Sequence, residues 1–595
     1  MKFPRITTLL ACCAWLMLTG CKDTLDKMDL SAASEDLIFQ DESLANLNLS
    51  YIYDQNLPTW FGISGTGFGA TNPSILSDEV YGESIFLEGT VQQNSVVDFG
   101  TTLDAKNNYG KIRTINTFLK AVNNSPLPKE AKDRLRSQAL FFRAWRYFDF
   151  VRLYGGVPLV LDPLQAVGVE AKAAAYLPRN STTATFNQIV ADLDTAIAYL
   201  PGKWASPSTD WGRIHKGAAA AFKARVLLYA ASPQYTADDA AKWQAAFAAS
   251  QQAKAILTAN SFGLHASFDQ LWFEEASNKE AVLVTGFNTA AADPLKKNSS
   301  YDNGSRPAYT GTGGGANQPT WELAKAFPML DGKKPGESTK YAYSDKLFYK
   351  NRDPRFGKTI AYNGALWPLN GNANYRLWTY YKGSTTTEPT NSPSRTGFYA
   401  RKAVDVRLAA SQAQYAGTDW IEIRYAEVLL NLAESACGVG NLTEAYTQLK
   451  ALRQRAGIEA GDGNYGLQAG MSRSQMFDAI LYERQIELAL EGKRFWDLRR
   501  WKKLESVLNT TVKRRTGITL TLTANAPADF ATTRESMDID QAYNYFTFAT
   551  KVLDTRYALN WKPEYYFFAL PQQAIDNNPT LLQTKGWGGN FDPLQ

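Results

Sequence analysis

Glu483, Glu487 and Glu491 recur every four residues, the spacing that sets three carboxylates on one face of an α-helix. Carboxylates paired at roughly 5 to 10 Å across a sugar are what glycoside hydrolysis requires, one donating a proton while the other attacks or activates water. The same segment carries Arg484, Arg494, Arg499 and Arg500, so ion pairing is the plainer expectation. Asp149, three residues from both Arg146 and Arg152, carries the same expectation. The two histidines, His215 and His265, stand apart and supply neither an HExxH metal pair nor a Ser-His-Asp set around a nucleophile elbow. Glycine-rich stretches at 65–69, 311–315 and 357–359 superficially suggest phosphate loops. The first two lack the strand-to-helix setting, and Arg352 stands where a P-loop requires glycine.

A different chemistry lies in the aromatic loops. From about 289 to 418 the hydrophobic periodicity fades while Gly, Asn, Ser, Thr and Pro rise, yet Trp367, Tyr375, Trp378, Tyr380 and Tyr381 argue against disorder. Long loops in a compact body are usually functional. Flat rings match the C–H face of a pyranose, and Asn, Asp, Gln or Arg bond its hydroxyls, so such loops can hold a sugar without breaking a bond.

Helices must hold these loops. Apolar spacing predicts them at about Leu44–Asp54, Tyr109–Asn123, Arg134–Tyr154, Thr185–Leu200, Lys216–Ala231, Asp239–Ala259, Trp420–Cys437, Leu442–Ala456 and Ser472–Glu491. Arg134–Tyr154 has so wide an apolar stripe that it must be buried on more than one side, and Gly155, Gly156 and Pro158 end it. Residues 425–457 read as an antiparallel helix pair similar to a tetratricopeptide repeat, with Gly438, Gly440 and Asn441 at the turn. Residues 217–260 form a second such pair, broken at Ser232-Pro233. Trp321, directly before a helical stretch Glu322–Phe327, is expected in the core.

The chain has 595 residues, 45% of them hydrophobic and 20% charged, which excludes disorder and demands a large core. A net charge of +5 without any block of like charges names no nucleic-acid partner. Residues 1–20 read as an export signal, with Lys2 and Arg5 before an apolar run, Ile6–Leu18, too short to span a bilayer. Leu18-Thr19-Gly20-Cys21 resembles a bacterial lipobox, which predicts cleavage before Cys21 and acyl chains on that cysteine. Cleavage would remove Cys12 and Cys13 and leave Cys437 as the free thiol, excluding an intramolecular disulfide. The acidic tether at 22–26 is similar to the export signals of surface lipoproteins in Bacteroidetes.

The exit of the central helix, 142–149 through 153–160 (FRAWRYFD, LYGGVPLV), resembles the most characteristic motif of the SusD/RagB family. Further matching motifs follow in order: Ile112-Arg113 with Asn116, Arg179-Asn180-Ser181 before Asp192-Leu193, Gly212-Arg213-Ile214 before Ala218-Ala219, and 351–356 (NRDPRF). Then come 424–430 (RYAEVLL), Glu483-Arg484 with Glu487, 491–499 (EGKRFWDLR), and Pro571 with Asn578-Pro579. The resemblance runs from the lipobox to Trp587. It implies a mainly α, SusD-like fold: four tetratricopeptide-like helix pairs, short strands and an irregular loop-rich ligand-binding section. The expected division is a signal peptide at 1–20 and one SusD-like domain at 21–595, with an N-terminal helical part at 21–288, a loop-rich insertion at 289–418 and a C-terminal helical part at 419–595.

The implied function is that of a lipid-anchored, surface-exposed outer-membrane protein that binds glycan or oligosaccharide nutrients. It would deliver them to a SusC-like TonB-dependent transporter, closing over it as a lid. Ligand groups in this family come from a loop region before the first repeat helices and from the irregular middle. Those regions here contain Trp60, Phe61, Asp78, Tyr81, Tyr301, Tyr309, Trp367, Asn374, Tyr375 and Trp378. No catalytic residue, cofactor, metal or nucleic acid is expected, with a structural calcium on loop carboxylates left open. The alternatives are a surface glycoside hydrolase and a helical-repeat assembly scaffold without a ligand of its own. The sugar, its linkage and a peptide nutrient remain open.

Overall fold

The computed structural model describes residues 38–65, 67–100, 107–164, 168–289, 297–307, 314–386, 393–509 and 514–595. The expected signal peptide, Cys21 and Tyr309 lie outside them.

The long helices are α1 (Glu42–Asn56), α2 (Asn108–Asn124), α3 (Lys129–Tyr154), α4 (Thr182–Tyr199), α5 (Lys216–Ala231), α6 (Ala240–Ala259), α7 (Tyr425–Gly438), α8 (Leu442–Ala456) and α9 (Arg473–Glu487). Short polar side chains start several of them by accepting orphan backbone N–H groups. Asp41 caps α1, Ser181 caps α4, and Ser472 with Gln475 forms a capping box on α9. Buried residues line every side of α3 from Ser137 to Val151, as the width of its stripe requires. It stops at Gly155, whose φ of +74° no side chain would favour and whose Cβ would meet Pro593 at 2.8 Å.

Each helix packs on its neighbour in sequence: α2 on α3, α3 on α4, α4 on α5, α5 on α6, then α6 on α7 and α7 on α8 and α9. This order is compatible with stacked tetratricopeptide-like pairs, and one continuous core draws on both helical parts, from Phe39 to Leu581. Cys437 is buried in it, which pushes its thiol up to about 12.

Three expected helix bounds are corrected, the first being the start of α3, at Lys129 rather than Arg134. Trp420–Arg424 is a strand, not the first turn of a helix: Ile421 and Ile423 alternate with polar residues, and the segment pairs antiparallel with Ala281–Thr285. These are β1 (Ala281–Thr285) and β2 (Trp420–Arg424), buried along their whole length. The last expected helix ends at Glu487, because Leu490 and Gly492 both take positive φ. A Cβ on Gly492 would lie 2.5 Å from the Phe61 carbonyl, so glycine is needed where this turn meets the loop at 60–62.

The middle section lacks long elements and builds its own cores from rings. One gathers Trp321, Phe327, Phe348, Phe356, Trp378 and Phe398 around the hairpin β3 (Thr516–Leu522) and β4 (Phe546–Val552). Trp321 is 1% exposed, in keeping with its expected core role. The other gathers Trp60, Phe61, Trp272, Tyr301, Trp367 and Trp420 beside β1 and β2.

Candidate functional site

The three glutamates are consumed by cations. Glu487 accepts from Arg355 at 2.7 Å, Arg424 at 2.6 Å and Arg455, and Glu483 from Arg355 at 2.7 Å and Arg453 at 2.6 Å. Glu491, in the turn after α9 rather than on it, accepts from Arg424 at 2.9 Å and from Lys402. Burial alone would raise all three carboxyls, but the surrounding guanidinium charges win and hold them below the usual range, Glu487 well below it. The ion-pair expectation holds, but the partners differ from those adjacent in sequence. Arg484 bonds Asp497, Arg500 bonds Glu434, Arg494 bonds Asp78, and Arg499 donates to the carbonyls of Tyr565 and Tyr566. Asp149 likewise joins Arg146, at 3.3 Å, and Arg152.

Most of the expected ligand aromatics are core residues. Trp60 lies flat on Tyr301, with ring centroids 3.9 Å apart and planes 2° apart, and Phe61 meets Tyr301 edge-on. Trp60 and Phe61 are each 8% exposed, Tyr301 4%, Trp378 1% and Trp367 0%. A stacking platform needs an open face; Trp60, Phe61 and Tyr301 spend theirs on one another, Trp378 meets Tyr380 and Phe530, and Trp367 is wholly enclosed. The Tyr301 hydroxyl donates to the Lys402 carbonyl at 2.7 Å, and the Trp378 indole donates to Glu535 at 2.9 Å. Tyr375 is half-buried against the same ring cluster, while Asn374 is exposed at the tip of the hairpin joining 365–366 to 376–377.

Asp78, another expected ligand residue, is held in an ion pair. Arg494 bonds it at 2.9 and 3.0 Å and Gln485 at 3.3 Å; burial would raise its carboxyl, but Arg494 holds it below the ordinary value. Next to it, burial and the Asp78 charge push Glu79 up to about 8. The Glu79 carbonyl accepts from the Thr320 amide at 2.9 Å, and Val80 bridges to Pro319. The segment 78–81 is thereby fastened to 318–320, and Tyr81 emerges beside Gln318.

Tyr81 is half-buried at the centre of a polar face. Arg395 donates to its hydroxyl at 3.4 Å, and the Gln318 side-chain oxygen accepts the Arg395 amide at 2.7 Å. Asn72 donates to Asn317 at 3.1 Å, and Asn317 donates to Ser305 at 3.2 Å. Three distant parts of the chain, 72–81, Ser305 with 317–318, and 394–395, so converge on amides, a guanidinium and one tyrosine. Sequence reasoning missed Asn72, Asn317, Gln318 and Arg395. Their signal was the concentration of amides in loops, since such residues tolerate tight backbone, as Asn317 does with its φ of +54°. Among the described residues no group of three or more His, Cys, Asp or Glu side chains is arranged to hold a metal ion. Nor is any helix among them long and apolar enough to cross a membrane.

A model of the SusD family matches residues 279–587, and one described as starch-binding associating with outer membrane matches 74–228. The SusD-like protein P2 of Formosa agariphila is 26% identical over 396 residues, covering 65% of this chain and 70% of that protein. A SusD-like protein from Bacteroides fragilis superposes with a TM-score of 0.71 at 22% identity, over 94% of this chain and 99% of its own. A SusD-like carbohydrate-binding protein from the same species gives 0.69 at 23% identity, over 91% and 99%.

Proposed function

The chain belongs to the SusD family, and from that footing we propose that it captures glycan or oligosaccharide nutrients without cleaving them and passes them to a SusC-like TonB-dependent transporter. Acyl chains on Cys21 hold it at the outer membrane, facing outward. The observation that carries this reading is the polar face around Tyr81. Amide and guanidinium groups from three loops sit beside a half-buried tyrosine with Arg395 and Arg515 over its ring, a mixture of hydrogen-bonding and apolar surface that suits sugar hydroxyls and C–H faces. The family's association with carbohydrate and the outer membrane supports the ligand class and the location. A hydrolase is disfavoured because Glu483, Glu487 and Glu491, the carboxylates with suggestive spacing, are at most 2% exposed and bound to arginines.

A glycan array followed by titration calorimetry tests the face. Tyr81→Ala and Arg395→Ala are each expected to weaken binding of the array's best glycan about tenfold, the effect of losing roughly one stacking or charged hydrogen-bond contact. Full affinity in both variants, or hydrolysis of the glycan by the parent protein, would refute the reading. For the anchor, radiolabelled palmitate is expected in the parent chain and absent from Cys21→Ala; label retained by that variant rules out the lipobox.

A further inference from the structure

Two tryptophans outside this face line a groove of their own. The connection from α4 to α5, residues 200–215, carries Trp204 and Trp211, both part-exposed. With Ser261, Phe262 and the turn at 276–282 it encloses an open groove of about 430 Å³. Ligand clefts run from about 300 to 1,000 Å³.

The groove is built rather than incidental. Trp204 donates its indole N–H to the Ile214 carbonyl at 3.1 Å, and Trp211 donates to the Asp419 carboxylate at 2.6 Å. Both indoles are therefore held from behind, Trp204 against the helical core and Trp211 against the ring cluster containing Trp60. Neither needs a ligand to satisfy its polar atom, so ring orientation is set before anything binds. Phe262 stacks on His215 with centroids 4.8 Å apart. Burial, with the charge of Lys203, pushes His215 down to about 4, so this imidazole is neutral at pH 7 and serves as wall rather than charge. Its Nε2 donates to the Val282 carbonyl at 3.0 Å while Nδ1 accepts the Ala218 amide, which fixes the ring.

The rim is polar and of mixed sign. Lys203 and Lys279 are exposed, and Asp210 pairs with Arg213 at 3.0 Å while keeping part of its surface open. Donors and acceptors around preset aromatic faces are what a hydroxylated ring with one C–H face requires. A purely apolar partner would leave this rim desolvated and unpaired, at a cost.

We propose that this groove is a second carbohydrate-binding site, taking a short stretch of oligosaccharide between Trp204 and Trp211. The ligand class rests on the carbohydrate reading above; the site uses none of the residues around Tyr81. The test is fluorine NMR of the full chain labelled with 5-fluorotryptophan, the two signals being identified through Trp204→Phe and Trp211→Phe. The probes are cellohexaose, laminarihexaose, maltohexaose, xylohexaose and mannohexaose. At least one is expected to shift both signals saturably, and to do so equally in Tyr81→Ala. Trp204→Ala, or the surface variant Lys203→Ser should the first not fold, is expected to weaken that titration about tenfold or severalfold respectively. Signals unmoved by all five probes overturn the proposal, and so does a response that disappears in Tyr81→Ala. Tyr81-dependent binding with silent groove signals refutes the groove alone, whereas groove binding with full array affinity in Tyr81→Ala refutes only the face.

Discussion

Replacing Glu487 by glutamine changes one oxygen to an amide and removes one negative charge from a buried cluster of ion pairs. Arg355, from the short helix Pro354–Thr359, Arg424, from β2, and Arg455, from α8, all donate to this carboxylate, which is 0% exposed. Glu280 and Glu483 share three of the same cations but cannot replace the lost charge, and the new amide N–H₂ must face a guanidinium. Removing one partner from a buried pair costs about 3 to 5 kcal/mol. At an unfolding entropy of about 2.1 cal/mol/K per residue, a chain of 595 residues has about 1.2 kcal/mol/K, so the midpoint should fall by about 2 to 4 °C. Scanning calorimetry at pH 7 measures it. The sign with pH is also fixed. The Glu487 pKa is depressed on folding, so its stabilisation is fully present above the ordinary glutamate value and is lost as pH falls through the folded one. The parent and Glu487→Gln midpoints should therefore converge as the solution is acidified well below about pH 4.5. The surface pair Lys340–Glu459 is the control, since solvent screens it and Glu459→Gln should move the midpoint far less. A drop for Glu487→Gln no larger than the control's, or a gap that ignores pH, would refute the reasoning.

Trp378→Ala should behave as a core lesion: about 3 to 5 kcal/mol of stability lost through the cavity and the severed bond to Glu535, with glycan affinity of the folded fraction unchanged. Unchanged stability with lost affinity would restore Trp378 to the ligand surface. Glu79→Gln should stabilise the protein on the alkaline side. The Glu79 carboxyl is raised to about 8 on folding, so the native state binds the extra proton between about pH 4.5 and 8, and parent stability declines across that window. The variant, having no proton to lose, should gain on the parent by a few kcal/mol from pH 5 to pH 9, and parallel melting curves across that range would show the raised value to be wrong.

The helices were readable because each repeats one physical signal over several turns. Lys216–Ala231 and Leu442–Ala456 have the expected bounds, set by His215 and Asn441 as caps and by Ser232 and Gly457 at the ends. The strand at Trp420–Arg424 was hidden because five residues alternating with period two run directly into a helix that shares their hydrophobicity. Ion pairing around the three glutamates was readable from composition, but not its partners. Helical spacing reports neighbours within one element, whereas Arg355 and Arg424 reach Glu487 across 132 and 63 residues of chain.

The proposed ligand surface was harder to read for a reason that lies in the middle section itself. Two-residue strands and single helical turns bury little backbone and carry few aliphatic side chains, so their packing has to come from large rings. Tryptophan and tyrosine there answer to two demands, filling a core and binding sugar, and sequence alone counts both as aromatic loops. Burial separates them: Trp60, Trp367 and Trp378 fill a core, whereas the half-buried Tyr81 is the ring on which the proposed face is built. The same distinction runs the other way at Trp204 and Trp211. Both stand, part-exposed, in a connection between two long helices that bury a core of their own, with Phe186, Leu193, Phe222 and Leu228 among its members, so packing alone does not call for two indoles there. A large ring in a loop is therefore most informative where the neighbouring elements could pack without it.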